Sequence, residues 1–533
     1  MPELDTSLRS SADRLDHLAT VVTTDERGTR DGAGGRTTPG EADRDSLVVE
    51  APFTADPIGT VPACTADDVA LALRRARTAQ PEWAGRPFEE RAAVIERFGD
   101  LVWDHREELL DLLQLEGGKA RRTGVEELLD VVSHCEYYGD AEEMVDSERR
   151  EGALGLLSPT RVNYHPRGVV GIISPWNYPL TLSISDAVPA LLAGNSVVLK
   201  PDEHTPFVAL RVVELLREAG LPADVCQVVT GDGATVGEPL VAGSDYVAFT
   251  GGHETGKVVA EQAGRNLVPC SLELGGKNPM LVLDDANVGT AVRGAIAGCF
   301  PNAGQLCVAP ERIYVHESLY EEFVERLVVA TEALTLGTGT DLDTDVGSLA
   351  SAAQLDRVTA HVEDAREKGA TIQTGGEHRP DVGPYVFEPT VLTDVTPDVD
   401  LFREETFGPV VAVYPVGSDR EAIDRANDTE YGLNACVFTE DHERGWSVAE
   451  RIEAGTVSVN DPYISTLGAT DAPMGGMKQS GLGRRHGPEG IRKYTDQQTV
   501  AVSRVGPVAP PSWLPGEWYT AGLSAIVKLR RLF

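Results

Sequence analysis

The sequence predicts an α/β protein of two successive domains, each built on a parallel, doubly wound sheet. Three observations carry this. Short β-branched runs alternate with helical stretches from Thr160 onward, and a second series of the same kind starts at Asn278. The chain's 533 residues, 41% hydrophobic and 25% charged, provide material for more than one core.

The elements follow in order. The first stretch is polar and rich in Arg, Asp and Thr, with DGAGG at Asp31 to Gly35, so residues 1–46 read as a flexible acidic extension without a signal-peptide core. Regular structure is expected from near Leu47. From Thr65 to Gln80 the apolar residues recur at helical spacing behind Thr65 and Asp68, which are placed as a capping box. Amphipathic runs over Phe88 to Leu115 and Gly124 to Met144 continue the helical start. Strands then fall at 169–174, 196–200, 226–230 and 246–250, with a helix at Phe207 to Ala219, and again at 278–285, 312–316, 410–416, 436–439 and 456–460. Ligands of such sheets bind at the carboxyl ends of the strands. The tail from Gly516 to Phe533 is apolar and aromatic with a basic finish. It reads as a segment packing on its own protein or a second subunit, in preference to a membrane-surface helix.

Charge narrows the partners. Acidic residues number 84 against 47 basic ones, a net −37, which argues against nucleic acid. Eight lysines stand beside thirty-nine arginines. Acid excess with lysine avoidance resembles adaptation to concentrated salt, where a Debye length of about 3 Å at 1 M removes self-repulsion. The seven cysteines have neither C-x-x-C nor zinc-ligand spacing, so a reduced, cytoplasmic protein without a metal site is expected. No apolar run reaches the roughly 18 residues of a membrane span.

Two phosphate-loop patterns fail on inspection. Gly251 to Val258 fits half of a P-loop, but Val258 replaces the Ser/Thr that would hold Mg²⁺. Gly231 to Gly237 misplaces the third glycine of a dinucleotide fingerprint. Four other segments carry chemistry. Cys307 follows a small, polar run in NAGQLCV, which is loop material, where a cysteine is reactive, although one in apolar company is by default inert. Glu273 lies between apolar residues before Gly275 and Gly276, as either a buried ion-pair partner or a base with a raised pKa. PWNYP puts Asn177 just after a strand, and KPDEHTP follows another.

Together these segments resemble the aldehyde dehydrogenase superfamily over roughly residues 50–505. PWNYP, KPDE, FTGG, LELGGK, GQLC, EETFGPV and the Gly-rich PMGGMKQSGLGR occur in the family's order, with Glu273 and Cys307 thirty-four positions apart as in the family. The resemblance implies a Rossmann-like NAD(P) domain at 47–151 and 167–275 and an α/β catalytic domain at 276–484. It also implies a small β oligomerisation element at 152–166 and 485–505, with a tail at 506–533. By resemblance Cys307 is the nucleophile, Glu273 the base that hydrolyses a thioester, and Asn177 with the Cys307 N–H the oxyanion donors. It further implies that Ser174, Pro175, Trp176, Gly231, Gly233, Phe249, Thr250 and Leu274 line the cofactor site. Lys200 and Glu203 would then meet the adenine ribose, Gly251 and Gly252 the pyrophosphate, and Glu405 with Phe407 the nicotinamide ribose. Gly252 stands where many relatives have Ser. Because a carboxylate repels a 2′-phosphate, Glu203 leads to the expectation of NAD over NADP. The expected partners are a small aldehyde and other copies of the chain, as a homodimer or homotetramer.

The texture is most similar to a bacterial succinate-semialdehyde dehydrogenase branch. Its better-known members grip the substrate carboxylate with arginines at positions that here hold Ser185 and Pro301. A broad dehydrogenase of neutral aliphatic or aromatic aldehydes, a CoA-acylating relative and a non-catalytic protein on the same fold remain as alternatives. Asp186 and Arg485 are expected to pair, with signs exchanged relative to many relatives.

Overall fold

The computed structural model describes residues 12–24, 45–150, 158–504 and 512–530. The chain divides into two units, residues 1–144 with 166–495, and residues 145–165 with 496–533.

The larger unit begins helically, as its patterning dictates. Helix Ala66–Ala84 starts on Thr65, whose hydroxyl accepts the Asp68 N–H while the Asp68 carboxylate accepts the Thr65 N–H. The run read as continuous from Phe88 to Leu115 is two helices, Phe88–Asp104 and Arg106–Gly117, parted at His105. Glu107 and Glu108 form a second acidic first turn, a start signal that the apolar periodicity runs straight through. The next helix, Arg121–Gly139, stops before a short turn of helix at Glu142–Val145.

The extension contains a helix as well, Ala12–Ala19, which the flexible reading of 1–46 did not expect. Leu15 and Leu18, three apart, are 2% and 0% exposed. Arg14 pairs with Glu108, and His17 lies 2.8 Å from Glu214. The apolar stripe is only two turns long, too short to stand out in polar sequence. The expectation for residues 1–11 and 25–44 lies outside the described residues.

Among the described residues a six-stranded sheet runs in the order 481–482, 270–273, 246–250, 169–173, 196–200, 226–228, and all but the first strand are parallel. A seven-stranded sheet runs 371–374, 390–393, 410–416, 310–316, 278–282, 434–438, 456–459, antiparallel only at its first pair. Each strand expected from β-branched runs is present. Cys270–Glu273, Thr371–Thr374 and Thr390–Thr393 were missed because they are four residues long and carry few β-branched residues in a row or stand beside turn residues. Parallel register places Ile173 beside Lys200 and Phe249, and Thr250 beside Glu273, so their carboxyl ends open onto one edge. The antiparallel pairing of Gly481–Leu482 with Leu272 and Glu273 brings the Gly-rich loop to the same place.

The smaller unit holds a three-stranded sheet in the order Thr495–Ala501, Thr160–Pro166, Glu148–Arg150, and a helix Gly516–Arg530. Trp513 and Trp518 are exposed. No helix among the described residues is long and apolar enough to cross a membrane.

Leu18→Ala should lower stability by about 2 kcal/mol or more if the N-terminal helix is integral. Thermal unfolding at fixed salt measures this, and an unchanged transition would show the helix to be an ornament.

Candidate active site

At the carboxyl edge of the six-stranded sheet lies a cavity of about 940 Å³. Ser174, Pro175 and Trp176 reach it from the turn after strand Val169–Ile173, and Lys200 and Glu203 from the end of the next strand. Phe249 to Gly252 line it from strand Tyr246–Thr250, and Gly233, Leu274, Glu405 and Phe407 complete the predicted set. Gly231 does not line it. With φ of +150° and a would-be Cβ 2.9 Å from Val236, Gly231 shapes the turn instead.

The cavity suits a dinucleotide. Gly233, Gly237 and Gly252 meet nothing within 4 Å where a Cβ would project, so the chain backbone itself faces open space. Helix His253–Arg265 starts at Gly252 with no side-chain cap, leaving first-turn N–H groups for an anion. The half P-loop segment forms this helix start. Opposite, Glu311 accepts the Thr406 and Phe407 N–H groups and pairs with Lys277, fixing the loop that carries Glu405 and Phe407. Phe407 meets Trp176 edge to face at 5.6 Å. Gln354 and Arg357, one turn apart on helix Ala352–Glu367, also line the cavity. No motif marked them, since they arrive from the other α/β half.

Cys307, Glu273 and Asn177 line both this cavity and a smaller chamber of about 70 Å³, and so form the wall between them. Cys307 follows a turn at Pro301–Gly304 in which Asn302, Ala303 and Gly304 are all left-handed, at φ of 50°, 53° and 72°. A Cβ on Gly304 would overlap the Gly408 carbonyl. Asn278 donates to the Cys307 carbonyl at 2.8 Å and steadies the far side of the turn.

Asn177 is held by its neighbours. Its backbone carbonyl accepts Lys119 Nζ at 2.7 Å and Asn302 Nδ2 at 2.9 Å, and its own Nδ2 donates to the Gln305 carbonyl at 3.1 Å. An amide has two N–H donors, so one remains for a ligand. Lys119 pairs with buried Glu127, whose other oxygen accepts the Leu180 and Thr181 N–H groups at the start of helix Pro179–Leu192.

Glu273 is buried, neither carboxylate oxygen has a hydrogen-bond partner, and burial pushes its pKa to about 7 against the pull of Arg485 and Lys493. Of the two readings of this glutamate, the ion-pair partner is the one the geometry does not support. Burial, with Glu405 nearby, pushes the Cys307 thiol to about 12, and Arg485 opposes that rise.

The expected pair of Asp186 and Arg485 is present. Arg485 Nη2 donates to Asp186 and, at 2.6 Å, to Thr250 Oγ1. The structure adds Lys493 and the Tyr494 hydroxyl, 2.8 and 2.6 Å from Asp186 Oδ1. Two cations and a phenol hold the Asp186 carboxyl well below its usual range despite burial. Ser185 lines the small chamber with its hydroxyl unpartnered, whereas Pro301 does not line it. Sequence reasoning missed Glu126, Asp130, Tyr178 and His486 in that lining. Glu126 and Asp130 are four apart on helix Arg121–Gly139, and this i, i+4 acidic pair was the available signal.

Five buried or half-buried carboxyls are raised, each chiefly through burial: Glu116 to about 8, Glu126, Glu273 and Glu405 to about 7, and Glu127 against the pull of Lys119. The folded state therefore holds more protons than the unfolded one between their ordinary values and these. Their contribution to stability is complete at low pH and is lost as pH rises through 7 to 8. The melting temperature should fall from pH 5 to pH 8, and less steeply in Glu273→Gln, as thermal scans at constant salt would record.

Relatives place this architecture. The chain is 49% identical over 486 residues, covering 91% of it and 94% of the relative, to a protein of Mycolicibacterium smegmatis provisionally named an NADP(+) succinate-semialdehyde dehydrogenase. A Mycobacterium tuberculosis protein with the same provisional name is 48% identical over 488 residues, covering 91% of this chain and 94% of that one. Among solved structures, an NADP-dependent enzyme of E. coli superposes with a TM-score of 0.83 at 36% identity, over 86% of this chain and 95% of that one. A betaine aldehyde dehydrogenase of Staphylococcus aureus in complex with NAD+ gives 0.83 at 33% identity, over 94% of this chain and 99% of that one.

These relatives correct the expectation of NAD over NADP, because the two most similar of them carry NADP(+) in their names. The physical basis for that expectation is weak in the structure. The Glu203 side chain is 42% exposed and 3.5 Å from Lys200 Nζ, so solvent and a cation screen the repulsion it was to exert. The aldehyde dehydrogenase family model matches residues 39–500. With two parallel sheets in place, a dinucleotide-sized cavity and a cysteine on its inner wall, this chain belongs to the aldehyde dehydrogenase family and is an NAD(P)-dependent oxidoreductase.

Proposed function

We propose that the chain oxidises succinate semialdehyde to succinate with NADP+, using Cys307, Glu273 and Asn177. The observation that carries this is the shared wall, where these side chains face a dinucleotide-sized cavity on one side and a chamber for a small aldehyde on the other. The names of the mycobacterial relatives support the choice of aldehyde and cofactor.

Glu273 takes the proton of the Cys307 thiol and passes it to solvent, Sγ bonds to the aldehyde carbon, and the carbonyl electrons move onto oxygen. The free N–H of the Asn177 amide and the Cys307 backbone N–H hold that oxyanion, each such donor typically contributing about 2.7–4 kcal/mol. A dinucleotide held by Trp176, Lys200, Glu203, Glu405 and Phe407 would supply the hydride acceptor, and loss of hydride from the same carbon leaves a thioester on Cys307. Glu273 then takes a proton from water, the hydroxyl adds to the thioester, and the acid departs as Cys307 is released. With a pKa of about 7, Glu273 can both accept and return that proton near neutrality. A glutamate placed there disfavours CoA acylation, which has to keep water from the thioester. A dehydrogenase of neutral aldehydes is the second reading, favoured by the leucine-rich lining from Leu182, Leu306 and Leu433.

The division into cofactor (47–151, 167–275) and catalytic (276–484) parts belongs to this proposal. It is supported by the two large sheets, which draw their strands from separate stretches apart from Gly481–Leu482. So do an oligomerisation element at 152–166 and 485–505, a homodimer or homotetramer, and a cytoplasmic setting, the last supported by seven unpaired cysteines.

Absorbance of reduced cofactor in molar salt, with NADP+ and NAD+ separately, tests the reading. Succinate semialdehyde with NADP+ should be the best pair. Cys307→Ala should abolish turnover and Asn177→Ala should reduce kcat about 10²–10³-fold. The pH profile of kcat should rise through about 7 and flatten above it. Turnover surviving in Cys307→Ala would end the mechanism, and a preference for neutral aldehydes would replace the substrate.

A further inference from the structure

We propose that Arg485 anchors the carboxylate of the substrate, an inference that rests on the succinate-semialdehyde reading and deepens it. Chain length sets the search. In a four-carbon semialdehyde, bonds of about 1.5 Å put the carboxylate carbon no more than about 4 Å from the aldehyde carbon. The anchor must therefore line the chamber that holds Cys307. Among the described residues of that lining, Arg485 is the one permanent cation. The remaining ionisable groups are the Cys307 thiol, the Tyr178 phenol, carboxyls at Glu126, Asp130 and Glu273, and His486, which burial and the neighbouring His134 and Arg485 hold well below its usual pKa.

Arg485 has positive charge and hydrogen-bonding capacity to spare. Asp186 is shared between Arg485 and Lys493, so while Glu273 is in its neutral form two cations face one carboxylate. Arg485 commits Nη2 to Asp186 and Thr250, while its buried Nε has no partner. A buried, unpaired guanidinium N–H is costly unless a ligand meets it. The Ser185 hydroxyl, also buried and unpartnered in the same lining, provides a second contact for an oxyanion. An arginine reaching in from the Gly-rich loop thus replaces the cations that Ser185 and Pro301 do not supply. Recognition then takes the form of a charge-assisted N–H···O bond in a small chamber walled largely by apolar side chains.

The test compares wild type, Arg485→Gln and Arg485→Lys as full chains in molar salt. Two quantities are read: the ratio of kcat/KM for succinate semialdehyde to that for butanal, and the competitive inhibition constant of succinate against butanal. A ratio is used because Arg485 also faces Cys307 and Glu273, so its loss will slow both aldehydes. The proposal expects the ratio to fall about 30-fold or more in Arg485→Gln, with Arg485→Lys intermediate, and succinate to bind at least about tenfold more weakly. Cofactor binding followed by fluorescence verifies that each variant is folded. If Arg485→Gln fails to fold, Arg485→Lys alone decides, since an unchanged ratio and inhibition constant there would overturn the anchor. A ratio and inhibition constant unchanged in Arg485→Gln overturn it while leaving the substrate reading intact. If wild type shows no preference for the semialdehyde, the substrate reading has failed, and succinate alone judges Arg485. Inhibition weakened in Arg485→Gln keeps the anchor, while inhibition unchanged or absent removes it.

Discussion

A carboxyl group buried without a hydrogen-bond partner, Glu273, is the constraint around which the site is organised. Taking an ionised carboxylate out of water is expensive, and the fold accepts that cost by letting the group sit near its neutral form, at about 7. The surrounding features limit the cost without cancelling it. Arg485 and Lys493 lie close enough to favour the anion but do not pair with it, because Asp186 holds both. Without Asp186 the cations would be free to close on Glu273 and pull it toward permanent ionisation. Gly475, with φ of +151°, leaves room at this point, since a Cβ there would stand 3.0 Å from Glu273 Oε1.

A second buried pair does mechanical work on the opposite side of the wall. Lys119 and Glu127 neutralise one another, and their spare hydrogen-bonding capacity goes to the Asn177 carbonyl and the first N–H groups of helix Pro179–Leu192. Breaking either partner would leave an isolated charge in the core. The same logic recurs at Lys277 and Glu311, whose carboxylate ties down the loop bearing Glu405 and Phe407. The two loops bearing Asn177 and Glu405 with Phe407 are thus fixed by interior electrostatics as well as by packing.

The ion cluster also decides what exchanging Asp186 and Arg485 would accomplish. Taken as an isolated pair, a double charge reversal would restore the attraction. With Lys493 2.8 Å from Asp186, a lysine at position 186 would face a second ammonium, so the swap is not symmetrical. A pair legible in sequence became a four-membered network in space.

Much of the fold could be read locally, because its causes are local. β-branched runs such as Ser196–Lys200 and Val410–Val416, and the Thr65–Asp68 capping box, state their structure within a few residues. The ordered motifs around Asn177, Glu273 and Cys307 likewise pointed to side chains that the fold brings to one wall, since loop and strand-end positions are carried by short segments. Tertiary structure alone decided the rest. Gln354, Arg357 and Glu126 reach the two chambers from distant elements, and the short strand Cys270–Glu273 gained its place by pairing with Tyr246–Thr250 and Gly481–Leu482. The charge state of Glu273 and the screening of Glu203 depend on which atoms exclude or admit water around them. Desolvation and Coulomb energy are sums over neighbours in space, and a one-dimensional pattern does not contain those neighbours.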